Sequence, residues 1–182
     1  GRASRLPFQP VAKDPDPNSP LPTITGVSKS IDDWTTQFHL ALGVLPGRPD
    51  AATYLGVAKR LIDVFSGADC RAGYVVVGNE RVAGRVLGSQ SEERLAFCDP
   101  DAAFVKSLGL AHLPALVHID IGARLTGVAE GWDPQEWARI ATGLAAAMRW
   151  TKPVFPLPGD PPPFTGWAGQ VIPAPRKGLK DA

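Results

Sequence analysis

The sequence has little cysteine, little net charge and no long apolar run. Two cysteines among 182 residues are too few for a disulfide-built scaffold. So few cysteines favour a reducing compartment, and a cytoplasmic location is therefore expected. The only methionine is Met148, so the sequence is also compatible with a leader peptide that has been removed. A net charge of +1 disfavours a nucleic-acid partner held through phosphates. No apolar stretch approaches the roughly 20 residues that span a bilayer, so no membrane span is predicted.

Familiar signatures of catalysis and cofactor binding are also missing. The chain has no glycine-rich phosphate loop of either usual spacing and no Gly-x-Ser-x-Gly elbow. His112, His118 and Asp120 could in principle converge on a metal, but they match no known ligand spacing. We therefore predict no cofactor and no metal site.

Proline is concentrated at the two ends of the chain. Residues 1–29 and 151–182 are predicted to be extended arms, and residues 30–150 a single domain with room for a core. The second arm carries Phe155, Phe164 and Trp167, each of which could contribute about 1.5–3 kcal/mol on burial. Such an arm either clasps its own domain or binds another protein or a second copy of this chain.

The first half of the domain shows helical and strand patterns in alternation. Ser30 and the four-residue spacing of Trp34, Phe38 and Leu42 predict a helix over 30–42, in which His39 has no role beyond packing or solvent contact. A second helix, capped by Asp50, should run to about residue 65. The apolar run 72–77 predicts a central strand, whereas 81–90 fits either a short helix or a returning strand.

The second half, residues 95–150, reads as strand, helix, strand, strand, helix. Its strands are predicted at 95–98, 113–119 and 124–130, and its helices begin at Asp99 and Asp133. Each of these aspartates can cap free N–H groups and is followed by a proline, which suits the first helical position.

These residues suggest a family. The run Phe97-Cys98-Asp99-Pro100-Asp101, then Leu108-Gly109, Leu113-Pro114-Ala115-Leu116-Val117, Gly122 and Gly131 together resemble the C-terminal half of a thioredoxin-like domain. The resemblance covers about residues 50–150. It implies a three-layer α/β sandwich with a mixed central sheet, in which Pro114 is cis and starts the fourth strand, and a hairpin and terminal helix complete the sheet.

The resemblance also shows what this chain lacks. It implies that strand 72–77 delivers the active-site loop, where the family has Cys-x-x-Cys at a helix start that lowers the thiol pKa. Gly78-Asn79-Glu80-Arg81 stand there instead. The family binds extended peptides in a groove that these residues and Leu113 before Pro114 should border. The predicted binding residues are therefore Gly78, Asn79, Glu80, Arg81, Leu113, Pro114, Phe155, Phe164 and Trp167.

We therefore expect a redox-inactive thioredoxin-like binding protein with no catalytic residue, an assembly factor or accessory subunit that contacts a partner through its arms and surface. The alternative is a thiol-dependent oxidoreductase or peroxidase that uses Cys70, which should be exposed in a turn, because Cys98 should be buried in a strand. A Cys70–Cys98 disulfide is left open. A third possibility, a small-molecule binding module, predicts an apolar cavity near Tyr74 and His118.

Overall fold

A computed structural model describes residues 11–168 of the chain. The outermost parts of both predicted arms, residues 1–10 and 169–182, lie outside the described residues. The strands are β1 (Pro20–Pro22), β2 (Ser28–Ser30), β3 (His39–Leu45), β4 (Cys70–Val77), β5 (Leu95–Asp99), β6 (His112–Leu113), β7 (Ala115–Ile119), β8 (Leu125–Glu130) and β9 (Trp167–Ala168). The helices are α1 (Ile31–Trp34), α2 (Leu55–Phe65), α3 (Glu80–Leu87), α4 (Gln90–Glu93), α5 (Ala103–Leu108) and α6 (Pro134–Met148).

Five strands form the central sheet in the order β5-β4-β3-β7-β8. Strands β3, β4 and β5 are parallel to one another, whereas β7 runs antiparallel to both β3 and β8. Val44 in β3 lies opposite Val75 in β4 and Ala115 in β7. The carboxyl ends of the three parallel strands therefore meet the beginning of β7 at one edge of the sheet, which we call the loop edge.

The sheet is covered on both faces. One apolar cluster joins it to α2, α3 and α6, and the other joins it to α1, α5 and the β1–β2 hairpin. The largest side chains with no exposed surface include Trp132, Trp137 and Tyr74. This arrangement is the three-layer α/β sandwich with a mixed central sheet that the family resemblance implies.

Local capping explains two helices. The Asp133 carboxylate accepts hydrogen bonds from the N–H groups of Gln135 and Glu136, and Pro134 occupies the first turn of α6, as predicted. The Asn79 side chain accepts a hydrogen bond from the Val82 N–H at 2.9 Å and starts α3. Residues 81–87 are therefore helical, which settles the ambiguity that the sequence pattern leaves.

The helix predicted over residues 30–42 is wrong. Ser30 does cap a helix, because its hydroxyl accepts from the Asp33 N–H at 3.0 Å, but α1 ends at Trp34. The hydroxyl of Thr35 bonds back to the Ile31 carbonyl at 2.9 Å as the helix ends. Residues 39–45 then form β3, the central strand. This strand is covered on both faces of the sheet, which explains why nearly all of its residues are apolar.

Two helix starts differ in detail from the prediction. Asp50 does not cap α2; its carboxylate binds the Arg48 guanidinium at 2.7 and 3.1 Å, and a 3₁₀ turn at Pro49–Tyr54 precedes the helix. Asp99 does accept helix N–H groups, but they belong to Phe104 and Val105, because a 3₁₀ turn delays the start of α5.

Part of the predicted N-terminal arm is packed against the domain. Leu21 in β1 has no exposed surface, and its carbonyl accepts a hydrogen bond from the Trp34 indole N–H at 2.9 Å. The β1–β2 hairpin therefore belongs to one of the covering layers, and the boundary predicted at residue 30 falls within β2. The division into arms and domain stays a prediction.

Between residues 11 and 168, no helix combines the length and the apolar character that crossing a membrane requires.

Candidate functional site: a groove edge beside a cis proline

The peptide bond between Leu113 and Pro114 is cis, as the resemblance implies, and it separates β6 from β7. Strand β7 pairs with β3 and not with β4. The loop next to Pro114 is therefore the one that follows β3, residues 46–49, and not the one that follows β4. The prediction that residues 72–77 form the strand leading to the loop beside Pro114 is therefore wrong. That strand is β3, which precedes β4 in the chain.

The loop next to Pro114 also contains no sulfur, because its sequence is Pro46-Gly47-Arg48-Pro49. Gly47 allows the loop to pass close to β4, since a Cβ there would lie 2.1 Å from the Val77 carbonyl oxygen. The Arg48 guanidinium is the charged group that this loop contributes. The loop beside Pro114 therefore carries no dithiol, whether it is taken to follow β4, as predicted, or β3, as observed.

The predicted loop Gly78–Arg81 lies at the same edge but about 10 Å from Pro114, two strand spacings away. Gly78 has a φ of +127°, and its N–H donates to the Asp99 carbonyl at 3.0 Å. Asn79 caps α3, while the Glu80 and Arg81 side chains are exposed. The structure therefore brings Leu113 and Pro114 together with residues 46–49 and not with Gly78–Arg81, whose binding role stays a prediction.

The backbone edge before Pro114 is occupied by the chain itself. Residues 151–168, which we call the strap, run back across the domain and end in β9. Strand β9 pairs antiparallel with β6, with Leu113 opposite Trp167 and His112 opposite Ala168. The edge is therefore able to accept an extended chain, and here it holds this one.

The first half of the strap is anchored by an aromatic cluster and an ion pair. The Phe155 ring packs edge-on against Trp132 and Trp137, with centroids 5.8 and 5.9 Å away. Arg60 of α2 forms a two-pronged ion pair with Asp160 and donates to the Val154 carbonyl at 3.0 Å. This pairing lowers the Asp160 pKa below its usual range, chiefly through the hydrogen bond from Arg60.

The second half of the strap is held by backbone and aromatic contacts. The backbones of Phe164 and Trp132 exchange two hydrogen bonds of 2.7 and 2.9 Å. The Phe164 ring stacks on Tyr54 at 5.3 Å, and the Trp167 ring lies 4.5 Å from the Arg48 guanidinium. Within residues 151–168, the predicted binding residues Phe155, Phe164 and Trp167 therefore clasp their own domain, which is one of the two roles that the sequence suggests.

Close approach of the strap depends on two glycines. A Cβ on Gly131 would lie 2.6 Å from the carbonyl oxygens of Phe164 and Thr165, and a Cβ on Gly166 would lie 2.9 Å from that of Leu113. Both glycines have positive φ, +78° and +101°. Side chains larger than hydrogen at these positions would push the strap away from the groove edge.

Neither cysteine lies at the groove. Cys70 begins β4 opposite His39, about 20 Å along the sheet from the loop edge. Cys98 is buried in β5, as predicted, and lies across three strand spacings from β7, about 14 Å. Both are free thiols, and their positions along β4 and β5 are too far apart for a disulfide.

The prediction that Cys70 is an exposed thiol in a turn is wrong. It is a strand residue and only partly accessible, and burial raises its thiol pKa to about 12. Burial also raises the pKa of Cys98. Desolvation disfavours a thiolate at either position, so neither residue has the electrostatic surroundings of a reactive cysteine.

Two of the three histidines, His39 and His118, lie side by side, and the third, His112, lies at the opposite end of the sheet. His118 is 3% exposed, and its Nε2 lies 2.8 Å from Nδ1 of His39 across the β3–β7 pair. Burial and the neighbouring imidazole lower the His118 pKa to about 4. His112 lies instead at the loop edge, 3.9 Å from Glu130. Among residues 11–168, no group of three or more side chains has the arrangement of a metal site.

Sequence reasoning missed Arg48, Tyr54 and the His39–His118 pair. Residues 48 and 54 are functional candidates because they contact the strap, and nothing in their local sequence indicates that contact. The two histidines are 79 residues apart and become partners only once β3 is placed beside β7. Had residues 39–45 been predicted as a strand, from the apolar run that follows His39, the two histidines could have been placed on neighbouring strands.

No protein-family model and no curated protein sequence matches the chain. Solved structures that are similar to it include the following three. A putative thiol:disulfide interchange protein DsbE from Chlorobium tepidum aligns with a TM-score of 0.61 at 16% identity, over 76% of this chain and 99% of that one. PrxQ from Xylella fastidiosa gives 0.58 at 16%, over 78% and 99%. A secreted Mycobacterium tuberculosis disulfide oxidoreductase gives 0.53 at 12%, over 72% and 96%.

At these identities the likeness concerns the fold alone. The chain has the thioredoxin-like fold and carries no Cys-x-x-Cys motif.

Proposed function

We propose that this chain is a redox-inactive thioredoxin-like binding protein, an assembly factor or accessory subunit that contacts a protein partner. One observation carries the proposal: the edge beside cis Pro114 pairs with an extended chain, yet no thiol stands next to it. Main-chain hydrogen bonds to a strand edge supply affinity without any chemical step.

The strap sets a condition on partner binding. A tethered segment competes with an effective concentration of the order of millimolar, so a free peptide that makes the same contacts would have to exceed that concentration to displace it. A partner must therefore add contacts outside the edge, and the exposed loop Gly78–Arg81 offers a surface nearby. On this proposal the partner exchanges with the end of the strap and also touches that loop.

The second candidate is a thiol-dependent oxidoreductase or peroxidase that uses Cys70. The similar structures are those of a putative thiol:disulfide interchange protein, a disulfide oxidoreductase and PrxQ, and this favours the second candidate over an accessory subunit. The burial of Cys70 and its distance from Pro114 argue against it. The cytoplasmic location also stays a prediction, and one of the similar proteins is described as secreted.

Turnover assays with cysteine variants separate the two candidates. Reduction of a peroxide and of a protein disulfide is measured, with an external thiol, for the full chain and for Cys70→Ser and Cys98→Ser. We expect no turnover above the buffer rate for any of the three. Turnover by the full chain that disappears in Cys70→Ser alone would replace the first proposal with the second.

Partner capture tests the role of the strap. Trp167→Ala removes the ring on Arg48 and weakens the strap end, so this variant should capture more of a host protein than the unchanged chain does. Val154→Ala is the matched control, because the Val154 side chain is 61% exposed and only its carbonyl is used. Equal capture by all three chains would argue against exchange at the groove edge.

A further inference from the structure

A small cleft of about 180 Å³ lies between the loop after β3 and helix α3. It is lined by Gly47, Arg48, Pro49, Val82, Arg85 and Val86. Arg48 borders this cleft and also touches Trp167 of the strap. The cleft is separate from the edge that the strap occupies.

The walls of the cleft are apolar. Val82, Arg85 and Val86 are three and four residues apart, so one face of α3 turns two valines and one arginine towards the loop. Pro49 closes the opposite side. Such walls suit an apolar group of limited size, because the cleft encloses only about 180 Å³.

The rim of the cleft is positive. Arg48 is held in place by Asp50 and by the Trp167 ring. Arg85 is exposed, and within residues 11–168 it has neither a hydrogen-bond nor an ion-pair partner. A guanidinium presents a planar fork of donors that matches a carboxylate.

We propose that this cleft binds a small organic carboxylate, with its apolar part between Pro49, Val82 and Val86 and its charge on Arg85. Benzoate has the size and the charge that these walls and this rim fit. The segment 169–182 is a poorer match, because its sequence carries Arg176, Lys177 and Lys180 against one acidic side chain. This site is independent of the protein partner proposed above.

Titration of the full chain with benzoate, followed by amide NMR, tests the proposal. We expect saturable shifts at Val82 and Val86 with a dissociation constant of the order of millimolar, as suits a ligand of this size. Benzamide has the same shape without the charge, and it should bind at least about tenfold more weakly.

Two arginine variants complete the test. Arg85→Leu should weaken benzoate binding about tenfold or more, whereas Arg124→Leu, which removes an exposed arginine from the opposite end of the sheet, should leave it unchanged. The proposal is overturned by a lack of saturation up to about 50 mM benzoate. It is also overturned by equal binding of benzamide, by equal losses in the two variants, or by shifts confined to another part of the chain.

Discussion

The two ends of the central sheet differ in what they offer. Beside Pro114, the loop edge has the cis bond before that proline, an extended chain paired with β6 and the aromatic contacts of the strap, but no sulfur, because Cys98 lies three strand spacings away in β5. The opposite end, about 20 Å away, has Cys70 and the His39–His118 pair, but these groups are largely buried. Binding geometry and potentially reactive groups therefore lie apart, which shows that the fold alone does not make a redox centre.

The strongest test of the loop edge is a pair of glycine substitutions. Gly131→Ala should destabilise the chain by about 3–4 kcal/mol, because it adds a Cβ at a positive φ and drives it against two strap carbonyls. Gly122→Ala also has a positive φ but meets nothing within 4 Å, so it should cost only about 1–2 kcal/mol. Urea unfolding measures both values, and equal values would show that the strap does not press on Gly131.

At the opposite end, His118 predicts a pH dependence of stability. Its folded pKa of about 4 lies below the ordinary value of 6.5, so between these values the unfolded chain binds a proton that the folded chain does not. Stability should therefore fall as pH drops from about 6.5 to 4, by at most about 1.4 kcal/mol per pH unit from this group.

His118→Phe should remove that slope in urea unfolding between these pH values, whereas His112→Phe, at the loop edge, should leave it in place. A slope that persists in His118→Phe would assign the effect to another group.

The ion pair that anchors the strap should have a smaller effect. Asp160→Asn should cost about 1–2 kcal/mol at neutral pH, because Asp160 is nearly buried and binds Arg60 with two oxygens. The folded pKa of Asp160 is lowered, so this stability is present above the unfolded pKa and is lost as pH falls through the folded value.

The difference in stability between the two chains should therefore shrink as pH falls from the unfolded pKa of Asp160 through its lowered folded pKa. Asp50→Asn is the control, because the exposed Arg48–Asp50 pair should contribute only about 0.5 kcal/mol. If Asp160→Asn lowers the free energy of unfolding no more than Asp50→Asn does, the Arg60–Asp160 ion pair does not anchor the strap.

The sequence predicted correctly those elements whose capping residues and apolar pattern lie within one short stretch of chain. Helix α6 has its cap, its first-turn proline and its apolar stripe within one stretch, and the structure confirms it. Strand β3 was missed because Trp34, Phe38 and Leu42 imitate a helical period, whereas the true signal is the unbroken apolar run 40–45. The cis bond before Pro114 was predicted from the family resemblance and is present.

The candidate site was less predictable because its parts are far apart in sequence. Choosing the loop beside Pro114 required the pairing of β3 with β7, which no local pattern reports. The contacts of the strap with Tyr54, Arg48 and Leu113 span more than 50 residues each. The aromatic content of the second arm did indicate that it would lie on a surface, and residues 151–168 lie on their own domain.

The central claim is that no reactive thiol operates in this chain, and the ionisation of Cys70 tests it most directly. In the Cys98→Ser variant, the rate of Cys70 alkylation by iodoacetamide is measured against pH. A thiol whose pKa is about 12 should show a rate that still rises, without a plateau, at about pH 10. A plateau that gives a pKa well below about 8.5 would contradict the account.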